Sequence, residues 1–367
     1  MTSQRIKSLT QQMQEHGLDG VALVPGPNMV YLSGIHAHLS ERPIVLFYPA
    51  DGAPAIVIPN LEAMKAEAAG IPPERIFGWS DETGYAHAFQ QAAAQLNLSG
   101  GLWAVESLYM RVLEYELLQE YAPGLRTAQA EPLVMALRLT KDPAEIAAME
   151  RAIGVSERAM ARLIPQIKIG MTEKQVAALL TQLQFEEGAD VMAFGPIVST
   201  GPNGASPHAV PTERPLQSGD LLVIDWGCLV DGYPSDITRT FAVGELEVEL
   251  RRVYDTVNQA NAAGIAAAGP GVTGQDVDTA ARSVITAAGY GDYFIHRTGH
   301  GLGLEVHEPP FMMQGYKEPL RPGNVFTVEP GVYLPERGGV RIEDDVVITE
   351  EGARVLTTFT KELLVVG

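Results

Sequence analysis

The hydrophobic and polar positions of this chain run with two periods, and the way they alternate divides it. Residues 1–20 carry apolar positions at helical spacing and stop at Gly17-Leu18-Asp19-Gly20. Residues 21–24 form a short unbroken apolar run, as a buried strand does. Residues 28–34, NMVYLSG, predict a short helix with a glycine stop. The apolar runs 44–48 and 55–58 flank Ala50-Asp51-Gly52, and Asp-Gly between two such runs signals a hairpin. Helical and strand-like pieces then alternate as far as Pro123. Residues 1–133 therefore read as an α/β domain.

The pattern changes around residues 133–139, and a second domain is expected over 134–367. Asp142-Pro143-Ala144-Glu145 is a helix start with aspartate as N-cap, proline at the first position and glutamate in the first turn. That helix is expected to run to about residue 164. A second begins at the capping box Thr172-Glu173-Lys174-Gln175 and carries the stripe Val176, Leu179, Leu180 and Leu183. Further helices are expected over 247–268 and 273–288. Strand-like segments are 191–199, 221–229, 237–243, 324–329, 339–349 and 353–359. Helices followed by strands thus occur in two rounds, 143–243 and 247–360, which suggests a structural duplication without a sequence repeat. The fold class is α/β (α+β) in two domains.

Composition narrows the function. The chain has 367 residues, 46% hydrophobic and 19% charged, an ordinary globular balance. A formal net charge of −19 argues against nucleic acid as a partner. Cys228 is the single cysteine, so no intrachain disulfide forms, which suits a reducing compartment. The first twenty residues lack a signal-peptide pattern, and no uncharged apolar run is long enough to span a membrane. The expectation is a cytoplasmic protein with no membrane partner.

The chemistry lies on the strands of the second domain. In 221–240, LLVIDWGCLVDGYPSDITRT, Asp231-Gly232 suits a two-residue hairpin turn. In that register Asp225 faces Thr238 and Asp236 faces Gly227. The two aspartates then share a face one diagonal apart, roughly 7–8 Å, within reach of a common ion. They could equally cap turns or pair with Arg239. Glu329 ends the strand 324–329. Glu343 lies in 339–348, GVRIEDDVVI, where Arg341, Glu343 and Asp345 share a face; a solvated Arg341–Glu343 pair is the alternative there. Residues 297–309, RTGHGLGLEVHEP, carry His300 and His307 among Gly299, Gly301 and Gly303, with His296 upstream. Each interior glycine costs a helix roughly 1 kcal/mol, so this segment reads as irregular or extended. Asp225, Asp236, His300, Glu329 and Glu343 make a hard, oxygen-rich set that suits two divalent ions, Mn²⁺ above all, with Co²⁺ or Zn²⁺ as alternatives. Two such ions can share a bridging water and lower its pKa to give a hydroxide nucleophile.

The stretches IDWGCLVDGYPSDITRT, HRTGHGLGLEVHEPP, FTVEPGVY and GVRIEDD, together with GPNGASPHAVP at 201–211, resemble the pita-bread metallopeptidases over residues 140–367. NMVYLSG resembles the creatinase-type N-terminal domain of their proline-specific branch, the Xaa-Pro dipeptidases (prolidases) and Xaa-Pro aminopeptidases. That resemblance implies a curved, mostly antiparallel sheet covered by helices, and likewise a homodimer. It implies that Asp225 chelates one metal, that Asp236 and Glu343 bridge both, and that His300 and Glu329 ligate the other, with Glu329 also moving protons. His208 would approach the scissile carbonyl and His307 the substrate across the cleavage point. His296 and Arg341 would line the prolyl side, and Tyr333 would support the site. The implied reaction is hydrolysis of the bond between an N-terminal residue and a following proline, in Xaa-Pro dipeptides, with proline-containing peptides as partners. The alternatives are an Xaa-Pro aminopeptidase acting on longer peptides and, remotely, a non-catalytic peptide-binding module. A dipeptidase needs a cation for the substrate carboxylate; the candidates are Arg42, reaching the active site of a partner subunit, and Arg337, and both could equally be solvated surface arginines.

Overall fold

The computed structural model describes residues 2–367, with side chains from residue 4 onward. Two compact units follow one another, Met1–Arg138 and Leu139–Gly367.

The first unit is a six-stranded mixed sheet in the order Ile76–Trp79, Ala55–Pro59, Val45–Pro49, Gly20–Leu23, Leu102–Val105 and Arg126–Gln129. Gly20–Leu23 lies inside the sheet and is buried at every position, as its unbroken apolar run requires. The Asp-Gly hairpin forms, with Val45 opposite Val57 and Leu46 opposite Ile56. Helix Pro27–Ser33 stops at Gly34, whose φ of 73° lets its N–H cap the carbonyl of Val30. Phe47, Trp79, Phe89 and Trp103 fill the core. Glu131–Arg138 forms a helix of its own where the sequence pattern showed only a change.

The second unit carries four long helices, Pro143–Leu163, Glu173–Glu186, Val248–Ala267 and Gly274–Ala287. Asp142, Thr172 and Thr273 each close a capping box. One antiparallel group runs Ile237–Val243, Leu221–Trp226, Ile197–Thr200, with Val365–Val366 added in parallel at its edge. The other is antiparallel throughout, in the order Glu308–Met312, Gly299–Gly301, Val325–Val328, Asp344–Ile348, Ala353–Val355. The first helix pair packs on Leu222, Ile224 and Trp226, the second on Phe326, Val328 and Val340. The two rounds match in detail: Thr172 bridges to Pro215 as Thr273 bridges to Pro319.

The strand-like segment 339–349, which reads as one strand, is two. Gly338–Arg341 pairs with Gly331–Leu334, and Asp344–Ile348 pairs with Val325–Val328. Between them Glu343 donates its N–H to Thr238 O at 3.1 Å. The backbone therefore changes sheets at Glu343 and joins the strand that follows Asp236.

Candidate metal centre and active site

The hairpin places the two aspartates. Asp231 and Gly232 both have positive φ, 53° and 79°, as a tight type I′ turn demands. Val230 then faces Tyr233 and Asp225 faces Thr238, the register the turn implies. Asp225 is the fifth residue of Leu221–Trp226, and Asp236 immediately precedes Ile237–Val243. A Cβ at Gly227 would lie 2.0 Å from Ser235 O, so only glycine admits the backbone beside Asp236.

His300 is the central residue of the short strand Gly299–Gly301, whose register shifts directly after it. The flanking glycines are dictated by packing. A Cβ at Gly299 would meet Thr327 O at 1.8 Å, and one at Gly301 would meet Pro309 O at 2.2 Å. Glu329 follows Val325–Val328 and is held by its N–H to Thr298 O at 2.7 Å. Glu343 enters from the break between the last two strands.

The five side chains converge. His300 Nε2 stands 3.2 Å from Glu329 Oε1 and 3.6 Å from Asp236 Oδ2. Three overlapping triads hold donor atoms within 4.8 Å of one another: Asp225, Asp236 and Glu343; His300, Glu329 and Glu343; and Asp236, His300 and His307. Asp236, His300 and Glu343 each belong to two of them. Arg341 Nη2 donates to Asp225 Oδ2 at 2.6 Å and its Nε to Thr238 Oγ1 at 3.1 Å; Thr238 in turn donates to Glu343 Oε2 at 2.6 Å. Arg341, Glu343 and Asp345 are buried, so the solvated Arg341–Glu343 pair does not form.

Four carboxylates crowded out of water cannot all stay charged unaided. Burial, then the neighbouring carboxylates, push Asp236 and Glu343 well above the usual range. Burial raises Asp225 against the pull of Arg341, and raises Glu329 to about 7. Burial, then His307, holds His300 well below its ordinary value, so its imidazole is neutral and free to ligate. Asp225 Oδ1 is buried and accepts no hydrogen bond. An uncompensated acidic cluster, an orphaned carboxylate oxygen and a neutral imidazole fit divalent cations of oxygen- and nitrogen-preferring type.

The remaining predicted residues surround a cavity of about 670 Å³, a volume typical of small-ligand sites. His208, His296, His307 and Arg341 line it together with the four carboxylates and the imidazole above. His208 is exposed to the cavity and makes no hydrogen bond with the described residues. His307 is also exposed, and its ring lies against that of His300 with centroids 3.9 Å apart. Arg341 donates to Tyr333 Oη at 2.9 Å, and that hydroxyl lies 2.9 Å from His296 Nε2. The hydroxyl accepts from Arg341 and so donates to His296, while His296 Nδ1 donates to Arg297 O at 2.7 Å. This arrangement assigns a neutral His296, and burial, then Arg341, pushes its pKa down to about 3.

Two arginines considered from the sequence are engaged elsewhere. Arg42 pairs with Asp81 at 2.7 Å and Glu41 at 2.9 Å, and Arg337 with Glu247 at 2.6 Å and with Glu249. Arg297 does line the cavity, and the sequence reading passed over it. Its guanidinium stacks on Phe311, 4.7 Å from the ring centre, and forms no ion pair among the described residues. It sits in the quoted motif RTGHG, but sequence alone does not say which arginine lacks an acid.

The profile of the metallopeptidase family M24 matches residues 147–350, and that of the creatinase/prolidase N-terminal domain matches residues 5–140. The chain is 35% identical to the Xaa-Pro dipeptidase of Pyrococcus furiosus over 98% of its own length and 99% of the relative's. Its fold superposes on a prolidase from Thermococcus sibiricus with a TM-score of 0.95 at 33% identity, covering 100% and 99% of the two chains. It superposes on an X-Pro aminopeptidase from Thermotoga maritima with a TM-score of 0.85 at 31% identity, covering 98% and 99%. With a cluster of acids and histidines able to hold a metal inside the matched region, this chain belongs to the metallopeptidase family M24 and carries a creatinase/prolidase N-terminal domain.

Proposed function

We propose that the protein hydrolyses Xaa-Pro dipeptides at the bond preceding proline, with two divalent ions, Mn²⁺ by the chemistry of the set, held by Asp225, Asp236, His300, Glu329 and Glu343. The observation that carries this reading is one cavity lined by all five of those side chains and by an arginine without an acid partner. The ions would supply Lewis acidity and a water acidic enough to attack near neutral pH. Asp236, His300 and Glu343 each belong to two of the triads, so each would help to hold the ions. Glu329, with Oε1 held by Thr327 Oγ1 at 3.3 Å, takes a proton from the attacking water and returns it to the leaving proline nitrogen. His208 has no protein partner and is free to meet the scissile carbonyl as charge builds on it. His307 contacts substrate beside His300. The neutral His296, with Tyr333 and Arg341, walls the prolyl side. The chain acts as a homodimer in this reading, which rests on the family resemblance, and in the cytoplasm, which rests on the single cysteine and the lack of a signal-peptide pattern. Among the described residues no helix is long and apolar enough to cross a membrane.

The fold does not separate a dipeptidase from an aminopeptidase, since solved structures of both kinds superpose on this chain. Arg297 favours the dipeptidase, because a free proline carboxylate needs a cation and a longer peptide does not. Protein stripped of metal and refilled with Mn²⁺ is expected to cleave Ala-Pro, and to leave Ala-Pro-Ala and Met-Ala-Ala largely intact. Equal cleavage of Ala-Pro-Ala makes the protein an aminopeptidase. Metal-independent behaviour toward all three defeats the peptidase reading.

A charge-assisted hydrogen bond is worth about 1.5–3 kcal/mol, or roughly 10–150-fold in binding. Arg297→Ala is therefore expected to raise KM for Ala-Pro by at least about tenfold, with kcat changed little. KM for Ala-Pro amide, which lacks the carboxylate, should stay where it was. An unchanged KM for Ala-Pro removes Arg297 from the site.

A further inference from the structure

Glu173 is the first residue of helix Glu173–Glu186 and is fully buried. No cation reaches it among the described residues. Five neutral donors do. Its Oε1 accepts from Thr200 N at 2.7 Å and Thr200 Oγ1 at 3.1 Å. Its Oε2 accepts from Asn203 Nδ2 at 2.7 Å, Thr212 N at 2.8 Å and Thr212 Oγ1 at 2.6 Å. A glutamate at a helix N-terminus also meets the helix dipole, but that interaction would not gather donors from three separate positions of another segment.

These donors stand at the two ends of one loop. Thr200 ends the strand Ile197–Thr200, and Thr212 lies where the chain returns to the helix, with Lys174 N bonded to Thr212 O. The carboxylate thus closes residues 201–211 at their base, and Asn203 adds a strut to Val210 O at 3.2 Å. On the cavity side Pro207 O accepts from Arg341 Nη1 at 3.1 Å. His208 hangs between these two anchors with an imidazole that bonds to nothing in the described protein. The backbone therefore fixes where this side chain starts and the space its ring can sweep.

We propose that Glu173 is a positioning residue for hydrolysis: it holds the 201–211 loop so that His208 points at the reacting carbonyl. The inference rests on the reading of His208 given above. All five donors require an acceptor, so Glu173→Gln, nearly the same shape, turns an NH₂ toward an N–H or O–H and opens the loop base. Displacing a reacting group by about 1 Å can cost on the order of 100-fold.

The test is a double-substitution cycle on the full-length, Mn²⁺-loaded protein with Ala-Pro. Glu173→Gln is expected to lower kcat about 10–100-fold, with KM within about threefold and bound metal unchanged. In a His208→Ala background the same change should cost less than about threefold more, because the side chain it aims is gone. Thr212→Val, which removes one donor hydroxyl, should show the same dependence at smaller size, and carries the test should Glu173→Gln not fold. Losses that multiply in the double variant, or a lowered melting temperature with kcat intact, overturn the positioning role alone. His208→Ala turning over at the parent rate overturns both this role and the reading of His208.

Discussion

Asp236→Asn should abolish Ala-Pro hydrolysis, a loss of about a thousandfold or more in kcat/KM, and should leave the protein unable to retain its metal. Asp236 stands in two of the three triads and its carboxyl lies among Glu343, Asp225 and Glu329. An amide keeps the shape and one oxygen but removes the charge that offsets the cations. Metal assistance contributes several kcal/mol to such reactions, and each 1.36 kcal/mol is tenfold in rate. The same substitution should not weaken the fold. Metal-free parent protein holds mutually repelling carboxylates out of water, and the amide removes one of them. The metal-free variant is therefore expected to melt no lower than the metal-free parent. Metal analysis, Ala-Pro turnover and paired thermal melts measure all three. A variant that is active without metal would end the metallopeptidase mechanism, and one that simply fails to fold would show the carboxyl to be structural.

Arg239→Met should destabilise the protein by about 3–5 kcal/mol, the usual cost of removing one partner from a buried ion pair. Arg239 sits beneath the site at 2% exposure and makes five hydrogen bonds. Nε donates to Thr360 O at 2.9 Å; Nη1 donates to Thr238 O at 2.9 Å and Glu343 O at 2.6 Å; Nη2 donates to Asp344 Oδ1 at 2.9 Å and Phe359 O at 2.7 Å. Burial pushes Asp344 up, but Arg239 and Lys361 outweigh it and hold the carboxyl below its usual range. Methionine would fill much of the volume and leave that charge and four carbonyls short of a donor. The two strands so joined carry Asp236 and Glu343 at their starts, so metal affinity should fall with stability. Urea unfolding of the metal-free forms isolates the fold effect. A change under about 1 kcal/mol would mean that Lys361 and water replace the guanidinium.

The Asp225–Asp236 geometry was legible because a two-residue Asp-Gly turn fixes register and register fixes faces. Helix starts were legible for a similar reason: the N-cap at Asp142 and the capping box at Thr172 are local chemistry, and both formed, whereas the box that Thr273 closes went unread. Arg239 illustrates the limit. In sequence it is an alternative ion-pair partner for Asp225 and Asp236; in the fold it is a buried brace, and four of its five acceptors lie more than a hundred residues downstream. Glu173 was visible only as part of a capping box, since nothing local announces donors arriving from 200–212. The run 339–349 misled for a third reason. No glycine or proline marks the point where the backbone leaves one sheet for another, and both strands are buried there. Arg297 needed a negative fact, the absence of an acid, which only the packed molecule supplies.

The two matching rounds of helices and strands divide the site between them, Asp225 and Asp236 from the first, His300, Glu329 and Glu343 from the second. During translation the first pair therefore waits. At about 5–20 residues per second, the stretch from Asp225 to Glu343 takes on the order of ten seconds to synthesise. Until then the emerging chain holds two aspartates and no hydrolytic centre. The polypeptide on the ribosome thus holds only part of the cluster, which is complete once the second round has been made.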